Sequence, residues 1–289
     1  MNQKELIAEF ERLTPSQNRL IRAGSSLGRS IAVVMLRKMQ KLRQVTIPMP
    51  WGHRFKGTLP ESVTAVLWRF GCYEPATSTF VVRHLKPGGC FVDIGAHFGY
   101  FTMLASHLVG SEGKVVAVEA MPDTYAMLQQ NVRSNGLANV TALNHAAAAE
   151  ICTLTFKDYG VVNSSLNTSA LPRGVVQSKA KDVKVDARPA DTLLAMAGIT
   201  HVDIIKIDAE SSEEFVIRGL QETLLRDHPI VLIELGGTGN DPVEDLRVAD
   251  IVQFLTTFGY RGFRSSGSKL IEITETKNLP YMNVIFKAV

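Results

Sequence analysis

The sequence predicts an α/β fold, with a mostly parallel sheet covered by helices on both faces and a helical N-terminal arm in front. Three observations lead there. Short apolar runs recur at 90–94, 115–118, 140–143, 202–207 and 230–235, and continuously apolar strands are the ones buried on both faces. Segments with helical spacing separate most of them, as parallel strands require for their crossovers. The first run ends in a glycine-containing turn, Gly95 to Gly99, that opens a helix, the place where sheets of this kind bind ligands.

Taken in order, Leu6, Ile7, Phe10 and Leu13 are spaced as one face of a short amphipathic helix over 3–13. Thr14 and Pro15 break it. Residues 17–44 read as helical again, interrupted around Gly24 to Gly28, and Pro48, Pro50 and Gly52 end the arm. A helix is expected over 76–85, followed by the turn Lys86-Pro87-Gly88-Gly89, a strand at 90–94 and a helix at 100–109. A strand at 115–118 precedes a helix at 123–135, with Gly136 as its C-terminal cap. Strands at 140–143, 202–207 and 230–235, helices at 213–225 and 246–258, and closing strands near 260–264 and 282–288 complete the pattern. Residues 151–190 interrupt the alternation and read as an insertion or β-extension near the site. The expected division is an arm over 1–56 and a domain over 57–289.

A chain of 289 residues is one large domain, or one domain with an arm. Its 45% hydrophobic and 20% charged content excludes wholesale disorder. Cys72, Cys90 and Cys152 lie far apart and lack metal-ligand spacing, which argues against a disulfide framework or zinc ribbon and favours a reducing compartment. The N-terminus lacks an apolar signal core, and Ile31 to Leu36 is too short to span a bilayer. A soluble, cytoplasmic protein is expected. Charge is divided unevenly: residues 1–56 hold 11 Lys/Arg against 3 Asp/Glu, and the rest hold 20 against 25.

The chemistry concentrates in FVDIGAHFGYF, residues 91–101. Gly95 permits a sharp turn at the strand end, and Ala96 and Gly99 keep bulk away from a ligand on the loop. His97, within the loop, and Tyr100, which opens the helix behind it, are expected ligand contacts, with His97 toward the amino-acid part. Asp93, two residues before Gly95, disfavours a pyrophosphate and suits a cationic ligand such as a sulfonium amino acid. Glu119 ends the second strand 24 residues after Gly95, where a carboxylate can accept both ribose hydroxyls of an adenosine. Met121 then lines an adenine edge, and Asn144 to Ala147, including His145 and Ala146, leave room for a flat ring.

These residues resemble class I S-adenosylmethionine-dependent methyltransferases, and more narrowly the FkbM family. The resemblance rests on Cys72-Tyr73-Glu74-Pro75, the 91–101 loop, VVAVEAMPDTYAMLQQNVRSNGL at 115–137, Asn163-Ser164-Ser165, VDIIKIDAES at 202–211 and IVLIEL at 230–235. It covers roughly residues 70 to 235. It implies a Rossmann-like, seven-stranded sheet whose final strand is antiparallel, with S-adenosyl-L-methionine as cofactor. It also implies methyl transfer, usually to a hydroxyl of a sugar, glycolipid or other natural product. Asp93, Gly95 and Glu119 carry over as cofactor contacts, and Glu74 gains a role on the cofactor side. One departure is Ser211, where the family commonly has glycine.

A second constellation ends the later strands. Asp208 and Glu210 share a side of extended backbone, and Glu234 ends the next strand. One of them can serve as general base. Alternatively, Asp208 and Glu234 hold a divalent cation such as Mg2+ that acidifies a hydroxyl. Lys206 reads as a buried ion-pair partner or a sheet-edge contact, and His145 as a second candidate base. The expected partner is a small hydroxylated acceptor. The basic arm fits a peripheral contact with anionic lipid, with nucleic acid or with a phosphorylated acceptor, or an apolar face packed on the body or on a second subunit. No nucleic-acid signature stands out. An N-methyltransferase, a dinucleotide-dependent oxidoreductase and a non-catalytic binding protein on the same fold are the competing readings.

Overall fold

A computed structural model describes residues 2–13, 19–160, 180–236, 242–266 and 269–289. The Asn163-Ser164-Ser165 motif lies outside the described residues. The central sheet is built from β3 (Cys90–Ile94), β4 (Lys114–Val118), β5 (Val140–Leu143), β9 (Ile204–Ile207), β10 (Ile230–Leu235), β11 (Tyr260–Ser266), β12 (Lys269–Glu272) and β13 (Met282–Ala288). Its order is β12-β11-β13-β10-β9-β3-β4-β5. The five strands from β5 to β10 are parallel, and β13 enters antiparallel between β10 and β11. Seven strands match the expected sheet. The eighth, β12, is a short edge strand paired antiparallel with β11, too brief and too exposed to carry an apolar signal.

Alternate residues of the central strands enter two separate cores, because successive side chains of a strand point to opposite faces. Phe91, Val115, Ile204, Leu232 and Ile285 face one core. It is covered by α4 (Pro75–His84) and α5 (Tyr100–Val109). Val92, Val116, Ile205, Val231 and Val284 face the other. That face carries α7 (Ala190–Met196), α8 (Glu213–Arg218), α9 (Gln221–Asp227) and α10 (Pro242–Thr257). The expected helix over 213–225 is thus two short helices broken at Gly219 and Leu220. The helix α6 (Pro122–Ser134) packs beside β5 and ends as expected, with Gly136 in the left-handed region at φ 63°.

The N-terminal region differs most from expectation. The helix α1 (Gln3–Leu13) buries Leu6 and Phe10 completely in the first core, and each contributes roughly 2–3 kcal/mol by leaving water. The helix α2 (Arg19–Lys38) runs through Gly24 and Gly28 without a break. Residues expected to extend the arm instead form an antiparallel hairpin, β1 (Arg43–Pro48) with β2 (Arg54–Leu59), followed by α3 (Ser62–Phe70). The boundary expected at residue 56 therefore falls inside β2. Asn131 of α6 and Asn135, which caps its C-terminus, tie this hairpin to the body through the backbone of Lys56 and Arg54. Pairing across a turn and side chain–backbone bonds to a helix some 75 residues away leave little trace in local periodicity.

The interrupting segment forms a second, three-stranded sheet, in which β8 (Lys181–Pro189) lies between β6 (Ala146–Ala148) and β7 (Cys152–Asp158). Among the described residues, no helix is long and apolar enough to cross a membrane.

Candidate active site

One pocket opens at the carboxyl ends of β3, β4 and β9, where the sheet reverses its winding. Its floor is the turn after β3. Gly95 has φ 78°, and a Cβ there would stand 1.8 Å from the carbonyl oxygen of Asp208. The glycine thus lets the β3 loop press against the end of β9, where Asp208 N donates to Ile94 O at 3.0 Å. Ala96 and His97 also line the pocket.

Gly99 does not border the pocket. Its φ of 90° and a hypothetical Cβ 2.6 Å from Leu128 Cδ1 show that it lets α5 pack closely on α6. This corrects the expectation that Gly99 clears space for a ligand. Tyr100 contributes to the pocket wall, but its hydroxyl is buried against Ser78 Oγ and Cys72 Sγ, at 3.0 and 3.4 Å. It is mainly a core aromatic.

Glu119 is nearly buried at the end of β4. Its Oε2 accepts from His97 N at 2.9 Å and its Oε1 from Met121 N at 3.0 Å. Two backbone donors fix the carboxylate and leave lone pairs facing the pocket. Burial pushes its pKa up to about 7, against the pull of those two donors. Added hydroxyl donors would favour its charged form. Met121, His145 and Ala146 continue the wall. Asn144 stands apart from this lining: its Nδ2 donates to the carbonyls of Glu119 and Ala120, both at 2.9 Å, holding the loop after β4 in shape. Asn144 is therefore a positioning residue rather than a contact of the pocket.

The opposite wall is electrostatic. Lys206 is 2% exposed, and its Nζ lies 2.9 Å from Asp208 Oδ2 and 4.8 Å from the centre of the Phe101 ring. Burial alone would lower its pKa, but Asp208, Glu74 and Asp93 outweigh burial and raise it. Asp208 feels the opposite balance: burial raises its pKa, and Lys206 draws it below the ordinary value. Asp93 is fully buried and accepts from Thr102 Oγ1 at 2.6 Å. Glu234 hydrogen-bonds to Asp208, and burial with the charges of Asp208 and Glu74 pushes it up to about 9. Glu210 also lines the pocket, and burial beside Asp208 and Glu213 pushes it up to about 8.

A divalent cation does not fit this donor set. The ammonium of Lys206 already stands 2.9 Å from Asp208 Oδ2, so a cation bound there would meet a like charge. Among the described residues, no group of three His, Cys, Asp or Glu is arranged to hold a metal ion. At the expected Asp208–Glu234 metal site the structure has the Lys206–Asp208 ion pair, with Glu234 hydrogen-bonded to Asp208.

Two further expectations shift. Glu74 lies outside the pocket lining, at the start of α4 with φ 39°, and its Oε2 accepts from Asn283 Nδ2 at 2.8 Å. It acts on the site through charge. His145 follows β5, three strand spacings from β9 and so about 14 Å from Asp208 along the sheet. Its Nε2 lies 3.4 Å from Asp186 Oδ2 of the second sheet.

A family model described as the methyltransferase FkbM domain matches residues 93–262, more than half of the chain. The chain belongs to the FkbM methyltransferase family. Curated relatives include the protein-L-isoaspartate O-methyltransferase 1 of Arabidopsis thaliana, 23% identical over 51% of this chain and 62% of that protein. Methyltransferase 1 of Beauveria bassiana is 26% identical over 45% of this chain and 58% of that one. The matches span less than two thirds of these relatives' own length. Among solved structures, an FkbM methyltransferase from Methylobacillus flagellatus covers 91% of this chain and 60% of that chain at 13% identity, with a TM-score of 0.43.

Within the FkbM pattern, the departure at Ser211 has a structural counterpart. Ser211 has φ 74° and Glu210 φ 45°, the left-handed region that glycine enters freely and serine does not. Glu213 Oε1 accepts from Ala209 N and Ser211 N, both at 3.1 Å, and pins the turn that presents Glu210.

Sequence reasoning missed the lid-like walls of the site. Phe55 of β2 and Val63 of α3 line it from the N-terminal region, and Leu154 and Phe156 of β7 line it from the second sheet. Glu61 was also missed. Completely buried, it caps α3 by accepting from Val63 N and Thr64 N at 2.7 Å, and it lies 4.0 Å from His97 Nε2. An acid followed by Ser-Val at a helix start was the available signal.

Proposed function

We propose that this FkbM-family protein is an S-adenosylmethionine-dependent methyltransferase that methylates a hydroxyl oxygen of a small acceptor. The observation that carries the reading is Glu119, held by the N–H groups of His97 and Met121 beside the Gly95 turn and within the pocket. The pocket residues fit the cofactor. Glu119 accepts the ribose hydroxyls, Met121 and Ala146 bound the adenine, and His145 Nδ1, buried and lacking a hydrogen-bond partner among the described residues, faces the same region. Asp93 and Asp208 supply negative charge opposite a ligand that carries a sulfonium and an ammonium, with Lys206 balancing the excess.

When bound, the cofactor supplies an electrophilic methyl group on sulfur. The protein's work is to align the acceptor oxygen with that methyl and to take the acceptor's proton. Glu210 is the group we assign to the proton. It borders the pocket, and its pKa of about 8 makes it a stronger base than an ordinary carboxylate. Asp208 stays paired with Lys206 and holds charge rather than exchanging protons.

The test is isothermal calorimetry with S-adenosylhomocysteine and with NAD+, followed by mass-spectrometric detection of methyl transfer to a panel of sugars, glycolipids and other hydroxylated natural products. Binding of S-adenosylhomocysteine and a gain of one methyl on oxygen support the reading. Binding of NAD+ alone, or transfer only to nitrogen, overturns it.

A further inference from the structure

From Leu27 to Met35, α2 turns an apolar face outward, and the chain on either side of it is rich in positive charge. Val33 and Leu36 pack inward on Leu59, Ala65 and Trp68. Arg29 donates to the carbonyl of Trp68 and lies over its ring, and Arg37 Nη2 donates to Pro60 O at 3.4 Å. The helix is therefore held to the body by one side. On the other side Leu27, Ile31, Val34 and Met35 are 62%, 49%, 53% and 58% exposed. Their spacing of four, seven and eight residues from Leu27 places them on one stripe. Met39 and Leu42, beyond the helix, are also exposed, Leu42 beside a cleft that includes Asp123 and Asp158. Single exposed apolar side chains are ordinary, but a continuous stripe marks a contact surface.

The charge around this stripe decides what covers it. From Arg12 to Pro60 the chain holds ten Lys/Arg and not one Asp/Glu. Lys38, Lys41 and Arg43 are exposed at the end of the stripe. A second copy would set two cation-rich stretches against each other. A nucleic acid would leave the aliphatic stripe facing phosphates. A surface that is apolar beneath a negatively charged layer satisfies both features, and the helix, about 30 Å long, is of a size to lie along it. We propose that α2 and the segment to Arg43 dock the protein on an anionic lipid bilayer, with the stripe immersed at the headgroup boundary and Lys38, Lys41 and Arg43 at the phosphates. This stands independently of methyl transfer.

The experiment is vesicle co-sedimentation of the full chain. Vesicles of phosphatidylcholine alone are compared with vesicles that also contain phosphatidylglycerol. The protein is expected to sediment with the anionic vesicles and to be released by high salt. The variants Ile31→Ser/Met35→Ser and Lys38→Glu/Lys41→Glu are each expected to lower partitioning roughly tenfold or more. Because these side chains are exposed, the melting temperature should be unchanged, which separates lost docking from lost folding. Equal binding to both vesicle types, no binding to either, or unchanged partitioning of the variants overturns the proposal. So does a dimer in light scattering that Ile31→Ser/Met35→Ser abolishes while vesicle binding persists.

Discussion

Lys206 Nζ stands 2.9 Å from Asp208 Oδ2 with 2% of the lysine exposed, so a single buried cation balances the carboxylates of Asp208, Glu74 and Asp93. Removing one member of a buried pair leaves the other charge without compensation, at a cost of about 3–5 kcal/mol. Lys206→Met is therefore expected to lower the unfolding free energy by about that amount, measured by chemical denaturation. A loss below about 1 kcal/mol, the range of exposed pairs, would show that the pair is not a structural centre.

The pH dependence of stability follows from the acids around this pair. Glu119, Glu210 and Glu234 are raised to about 7, 8 and 9 from an ordinary 4.5. The folded state then keeps protons that the unfolded chain has released above pH 4.5, so stability falls as pH rises through the folded values. Asp208, held low by Lys206 despite its burial, works the other way: its contribution is present above about pH 3.8 and is lost as pH falls further. The melting temperature of the ligand-free protein should decline between about pH 5 and 9, less steeply in Glu210→Gln. A flat profile would contradict the assigned burial.

Glu119→Gln removes the anionic acceptor and leaves one of the two backbone donors facing an amide NH2. A hydrogen bond to a charged group is worth about 1.5–3 kcal/mol, so affinity for S-adenosylhomocysteine should fall roughly 10- to 100-fold by calorimetry. Unchanged affinity would remove Glu119 from the cofactor site.

Glu210 is the proton acceptor assigned here, and its pKa of about 8 sets a signature. The turnover rate of the wild type should rise with pH and level off above about 8, as the carboxyl ionises. Glu210→Gln should reduce kcat by about 10²–10⁴ and abolish that rise, while leaving S-adenosylhomocysteine binding intact. A variant that keeps the wild-type pH profile would exclude Glu210 as the base.

Ser211 pays the cost of a left-handed backbone at φ 74°. Ser211→Gly should stabilise the protein by about 1 kcal/mol, read as an upward shift in melting temperature. A downward shift would mean that the serine side chain contributes more than its conformation costs.

Much of the fold was legible because it is written in local periodicity. The strands Cys90–Ile94, Val140–Leu143, Ile230–Leu235 and Met282–Ala288 follow the boundaries that their apolar runs predict. Gly95 and Glu119 were legible for the same reason, since a turn residue and a strand-ending acid declare themselves by position. The hairpin of β1 and β2 was not, because Arg43–Pro48 is mostly exposed and reads as polar and broken by proline. Gly99 and Asn144 were legible as site residues only by proximity in sequence; packing on Leu128 and bonding to the Glu119 carbonyl gave them other tasks.

The amino-acid sequence by itself determined the alternation of strands and helices, the glycine turn after β3 and the acid after β4, because each depends on residues within a few positions of one another. Tertiary structure alone decided the charge state and role of the second constellation. Glu74, Asp93, Lys206, Asp208 and Glu234 come from four separate segments and meet only because the sheet order sets β3, β9 and β10 side by side. Burial there raises Glu210 and Glu234, while Lys206 claims Asp208. What reads in sequence as a set of equivalent carboxylates becomes an ion pair beside acids of raised pKa, because solvation and distance, not residue type, set the chemistry of buried carboxylates.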